Sequence, residues 1–133
     1  MLEDKAIILC VDDEEIPLML RKLVLEKAGY DVVIAGSAMQ GREIVTSRHI
    51  DLVLSDHLMP GSTGTEFTRE VKAILPELPV ILLSGVNEVP GDAGCADLFL
   101  SKAAGPVVLC EEIATLLREV RKRKLDKAGS SQA

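Results

Sequence analysis

Short apolar runs alternate with longer amphipathic stretches along this chain. Residues 6–11, 32–35, 52–55, 80–84 and 98–100 are brief, apolar and rich in Val, Ile and Leu, as strands covered on both faces are. Between the first two runs, Ile16, Leu20, Leu23 and Val24 predict one helical face, with Pro17 near its start and Gly29 past its end. Ser37 with Gln40, and Thr63 with Glu66, have the spacing of capping boxes that open a second and a third helix. Phe67, Val71 and Ile74 line the third helix, which Pro76 ends, and Pro106 opens a last helix striped by Leu109, Ile113, Leu116 and Val120. This alternation predicts an α/β fold, a doubly wound parallel sheet with right-handed crossovers. One stretch breaks the rhythm. Residues 86–95 have no helical period, and Pro90 with its neighbouring glycines opposes helix, so the fourth helix should be shortened or missing.

Composition sets bounds on these elements. The 133 residues suit one domain, expected over residues 1–124, followed by a flexible C-terminal tail over residues 125–133 that ends in small and polar residues. Hydrophobic residues make up 47% but aromatics only 2%, so the core is built from aliphatic side chains. A net charge of -6 argues against direct contact with nucleic acid or an anionic membrane and favours a protein partner. The basic run at residues 121–124 reads as a solvated helix end complementing the helix dipole. Cys10, Cys95 and Cys110 are odd in number and widely spaced, which suits reduced thiols. With no signal-like start and no apolar run of about 18 residues, the expected location is cytoplasmic.

The charged residues at the strand ends point to chemistry. Asp12 and Asp13 follow the first run, Asp56 ends the third and Lys102 follows the fifth. In an open parallel sheet the carboxyl ends of the strands form the ligand crevice, so these four groups should converge. Carboxylates packed so closely need a cation, and a magnesium-type ion accepts carboxylate oxygens while leaving positions for phosphate.

Four segments occur in order: Val11-Asp12-Asp13-Glu14, Asp56-His57-Leu58-Met59-Pro60-Gly61, Ser84-Gly85 and Phe99-Leu100-Ser101-Lys102. With them the chain, from about residue 5 to about residue 124, resembles the response-regulator receiver domain (CheY-like) of bacterial two-component signalling. The resemblance implies a flavodoxin-like sheet of five strands in the order 2-1-3-4-5. It implies that Asp56 accepts a phosphoryl group from a histidine kinase or phosphotransfer protein. Magnesium would be held by Asp13, Asp56 and the backbone carbonyl of Leu58, with Asp12 holding a coordinated water. Lys102 and Ser84 would contact the phosphoryl group, and Phe99 would turn inward as the Ser84 hydroxyl moves. Leu58 and Val86 occupy the positions that flank an attacking water in the family, and both are apolar. Where the family has Lys-Pro, this chain has Lys102-Ala103, whose bond should be trans.

The molecule is then a switch rather than an enzyme, limited to self-phosphorylation and slow self-dephosphorylation, and it signals to an output protein or domain of unknown kind. Two rivals share the acidic set. A magnesium-dependent aspartyl-phosphate phosphohydrolase of the haloacid-dehalogenase type needs an Asp-x-Asp motif, whose spacing Asp12-Asp13 lacks. An unphosphorylated interaction module of the same fold would not need the complete acids and Lys102. His57, beside the acceptor, should point away from Asp56 by strand alternation and be a surface histidine.

Overall fold

The computed structural model describes residues 5–59, 61–85 and 95–131. Its elements in chain order are β1 (Ile7–Val11), α1 (Glu15–Lys27), β2 (Asp31–Ala35), α2 (Ala38–Ser47), β3 (Leu52–Asp56), β4 (Leu58–Met59), β5 (Ser62–Thr63), α3 (Gly64–Ile74), β6 (Val80–Ser84), β7 (Leu98–Ser101), a 3-10 turn (Lys102–Ala104) and α4 (Gly105–Ser131). The main sheet is parallel with the order β2-β1-β3-β6-β7, which is the expected 2-1-3-4-5 once the β4–β5 hairpin is set aside. The expected short fourth helix falls on residues 86–94, outside the described residues.

Both faces of the sheet are core, which is why the strands read as unbroken apolar runs. On one face Leu9, Val11, Val53 and Leu82 pack against Phe67 and Val71 of α3 and Val45 of α2. On the other, Ile8, Cys10, Leu52, Leu54, Ile81 and Leu83 pack against Leu18 and Leu25 of α1 and Leu109, Ile113 and Leu116 of α4. The two helix starts form as expected: Ser37 Oγ accepts the Gln40 N–H, and Thr63 Oγ1 accepts the Glu66 N–H while donating to Glu66 Oε1. Gly29 closes α1 with φ of 103°, a conformation that glycine adopts without steric cost.

Two local expectations are corrected. The face of α1 turned to the sheet carries Leu18 and Leu25, whereas Ile16, Leu20 and Leu23 are exposed. The helix is apolar around most of its circumference, so periodicity alone cannot select the buried side. In α3, Ile74 is half exposed at the last turn, while Phe67 and Val71 are buried. Beyond the core, α4 runs to Ser131 and takes in part of the segment after residue 124. No proline interrupts it, and the Lys127 ammonium pairs with the Glu77 carboxylate as the helix leaves the core.

Candidate functional site

Parallel order brings the ends of β1, β3 and β7 to one edge of the sheet. Asp12 and Asp13 follow β1, Asp56 is the last residue of β3, and Lys102 opens the turn after β7. Facing carboxylate oxygens of Asp12, Asp13 and Asp56 all lie within 4.8 Å of one another, with Asp12 and Asp56 buried and Asp13 exposed. Two cations close the site from within. Lys102 Nζ lies 2.7 Å from Asp56 Oδ1, and Arg21 Nη1 from α1 lies 2.7 Å from Asp12 Oδ2.

Three carboxylates thus face two positive charges, leaving an excess of negative charge beside a solvent-facing acid. Magnesium prefers oxygen ligands at about 2.0–2.1 Å, so opposite ligands stand roughly 4 Å apart, a spacing this donor set nearly has. The residues fit the ion. Asp56 Oδ1 is closed to solvent and no hydrogen bond of good geometry reaches it from the described residues, so the contact with Lys102 is chiefly an ion pair.

Titration directions follow from unequal burial. Burial raises the Asp56 carboxyl above its ordinary value, and the pairing with Lys102 only partly offsets this. Burial works to lower the Lys102 ammonium, but the Asp56 carboxylate outweighs it and the net shift is upward. Both shifts are upward, which disfavours charge on the acid and favours it on the lysine; the Asp56 side chain is 6% exposed and that of Lys102 is 39% exposed, so the desolvation cost falls mainly on the acid. For the acid, then, burial governs.

After Asp56 the short strands β4 and β5 pair antiparallel. Leu58 pairs with Thr63 and Met59 with Ser62, and Gly61 sits at the bend with φ of 79°. The Leu58 side chain remains exposed at the rim. Ser84 is buried at the end of β6, one position beyond Leu83, which is in register with Asp56. All peptide bonds described are trans, Lys102–Ala103 among them.

Two residues depart from the sequence reading. His57 does turn away from Asp56, but it is buried, 8% exposed, because the opposite face of the sheet is also core. Its ring meets Phe99 edge to face, with centroids 5.1 Å apart. Arg21 was not anticipated at all. Its signal is its place three residues after Leu18 and four before Leu25, which puts an arginine on the buried stripe of α1.

Residues 8–114 match the response regulator receiver domain family. The chain is 31% identical over 117 residues to the phosphate regulon transcriptional regulatory protein PhoB of Pseudomonas aeruginosa, covering 84% of this chain and 51% of that protein. It thus spans about half the length of that curated relative. Among solved structures, a CheY-like receiver domain protein from Methanospirillum hungatei superposes with a TM-score of 0.85 at 29% identity, covering 90% of this chain and 99% of that one. The response regulator TrrA of Thermotoga maritima, solved in complex with Mg(2+)-BeF, gives 0.79 at 29% identity, covering 84% and 98%.

Proposed function

As the chain belongs to the response regulator receiver domain family, we propose that it is a phosphorylation-dependent switch whose acceptor is Asp56 and whose cofactor is magnesium. The observation that carries this reading is the convergence of Asp12, Asp13 and Asp56 within 4.8 Å with Lys102 on the acceptor oxygen. An Asp56 carboxylate oxygen attacks phosphorus, the new O–P bond forms as the donor's N–P bond breaks, and the donor imidazole leaves with the electron pair. Phosphoryl transfer requires positioning and charge neutralisation more than covalent help from the protein.

Magnesium, held by Asp13, Asp56 and the Leu58 carbonyl with Asp12 close by, would supply positive charge to the phosphoryl oxygens. Lys102 supplies a second positive charge from the β7 side, and Ser84 a hydroxyl from β6. Buried packing around Asp56 limits water, which supports a long-lived acyl phosphate and a switch rather than a turnover enzyme.

The donor must bring its phosphorylated imidazole to Asp56, so it has to cover the rim. Ile16 and Leu20 on α1 and Val107 on α4 are 73%, 58% and 73% exposed there, an apolar collar suited to a helical donor such as a histidine kinase or phosphotransfer protein. The acidic surface supports an output that is a protein or domain, with no direct role for nucleic acid or membrane. Among the described residues no helix is long and apolar enough to cross a membrane. A cytoplasmic location suits such partners.

Intact mass before and after incubation with acetyl phosphate and magnesium tests the assignment. One phosphoryl group should appear on the wild type and none on Asp56→Asn. An adduct that persists in Asp56→Asn refutes Asp56 as acceptor.

A further inference from the structure

Asp12 is engaged on both oxygens. Oδ1 accepts the Glu14 N–H at 2.9 Å, and Oδ2 receives Arg21 Nη1 at 2.7 Å. The carboxylate is 1% exposed, and the arginine side chain only 14%. A buried carboxylate needs a counter-charge. Without a metal that charge is Arg21, so the guanidinium stands where a divalent ion would otherwise satisfy Asp12.

Resting on the magnesium-dependent reading above, we propose that Arg21 is a resident competitor for magnesium, a positioning residue that acts through Asp12 and sets the cation affinity of the site. An ion among the three carboxylates lies within a few ångströms of the guanidinium, because their oxygens are within 4.8 Å of one another and Arg21 touches one of them. Repulsion between a divalent ion and that cation, with the loss of free charge on Asp12, weakens binding on the order of tenfold even at water-like screening. Arg21 also lines a cavity of about 330 Å³ between α1 and α4, beside Pro17, Leu20, Val24 and Leu109. That space lets the guanidinium draw back from Asp12 when the metal enters. The same ion pair supplies Asp12 with its counter-charge in the metal-free protein, so loading exchanges one buried counter-charge for another.

Calorimetric titration of magnesium chloride into the whole chain, paired with thermal melts in EDTA and in magnesium, tests this. Arg21→Gln should bind magnesium about tenfold more tightly than wild type. Arg21→Lys, which keeps the charge, should stay near wild type. In melts, Arg21→Gln should have the lower midpoint in EDTA and the larger rise on adding magnesium, since a tighter ligand stabilises more at equal concentration. A purely structural arginine would lower both midpoints alike. Equal or weaker magnesium binding by a folded Arg21→Gln protein overturns the proposal. Should that variant unfold in EDTA, magnesium should refold it where sodium chloride of equal ionic strength does not, and failure to refold overturns the proposal as well. Wild type that binds no magnesium overturns both this inference and the functional reading beneath it. Normal labelling of Asp56 with unchanged affinity in Arg21→Gln overturns the inference alone.

Discussion

His57 and Phe99 meet edge to face across the sheet, with ring centroids 5.1 Å apart and planes at 67°. The contact lies on the face opposite the Asp56–Lys102 ion pair, so side chains at the end of the acceptor strand reach past β6 towards β7 and the turn after it on both faces of the sheet.

This pairing predicts how the two rings respond to substitution. The His57 Nδ1 atom is buried and has no hydrogen-bond partner among the described residues, a cost of about 1–3 kcal/mol for such a group. His57→Phe keeps a ring against Phe99 and removes the orphaned nitrogen, so stability should rise by about 1 kcal/mol in urea unfolding. His57→Ala should lose about 1–3 kcal/mol. The chain has only two phenylalanines, so fluorophenylalanine labelling gives two fluorine resonances. In His57→Ala the Phe99 resonance should move and that of fully buried Phe67 should stay. A Phe99 signal indifferent to both substitutions would mean that the rings do not communicate.

The acceptor's own charge should destabilise the metal-free fold. Burial holds the Asp56 carboxyl above its ordinary value of 3.8, so the folded state binds the proton more tightly than the unfolded chain does. The stabilising contribution is therefore complete below the unfolded value and is lost as pH rises through the folded one. At pH 7 in EDTA, Asp56→Asn should melt roughly 2–5 °C above wild type. The gain should shrink as pH falls towards 3.8 and wild-type Asp56 takes up its proton. Thermal melts from acid to neutral pH check this, and a constant difference, or a lower midpoint for Asp56→Asn at pH 7, contradicts it.

Leu58 bears on the lifetime of the phosphorylated state. Its side chain is 51% exposed beside the acceptor and has no group that could hold an attacking water. Val86, the second position expected to flank the water's path, lies outside the described residues. Leu58→Glu or Leu58→Asn introduces a water-positioning oxygen, and loss of the phosphoryl group should quicken by about tenfold, below the roughly 10²–10⁴ of a well-placed general base. Decay of labelled protein followed over time measures it. Unchanged decay in both variants would remove Leu58 from the water's path.

Strand positions and four of the five charged groups were legible because each rests on local chemistry. An apolar run of β-branched residues with an acid at its end is a strand feeding a crevice, and Asp12, Asp13, Asp56 and Lys102 all sit at such ends. Arg21 was not legible, because α1 carries apolar residues on nearly every side, and only the fold shows that the Leu18–Leu25 stripe is the buried one. The direction of His57 followed correctly from strand alternation. Its burial did not, since that depends on helices covering the second face of the sheet, a property of the whole fold.

Gly64, the first residue of α3, holds the acceptor strand against that helix. Its N–H donates to the His57 carbonyl, and its own carbonyl accepts the Thr68 hydroxyl. A Cβ there would stand 2.8 Å from the Asp56 carbonyl oxygen, 2.8 Å from Leu82 Cδ2 and 2.9 Å from His57 Cα. Two of the three are backbone atoms and cannot step aside without moving the acceptor. Gly64→Ala should therefore cost about 1–3 kcal/mol, as overpacking of a filled core does, and should also slow phosphorylation of Asp56. Gly61 provides the control. Among the described residues nothing lies within 4 Å of its added Cβ, yet its φ of 79° strains an alanine, so Gly61→Ala should cost only about 1–2 kcal/mol, with no clash against Asp56. Urea unfolding and labelling rates of both variants separate the two effects. A Gly64→Ala protein as stable as wild type and labelled at the same rate would show that α3 can retreat without moving the acceptor.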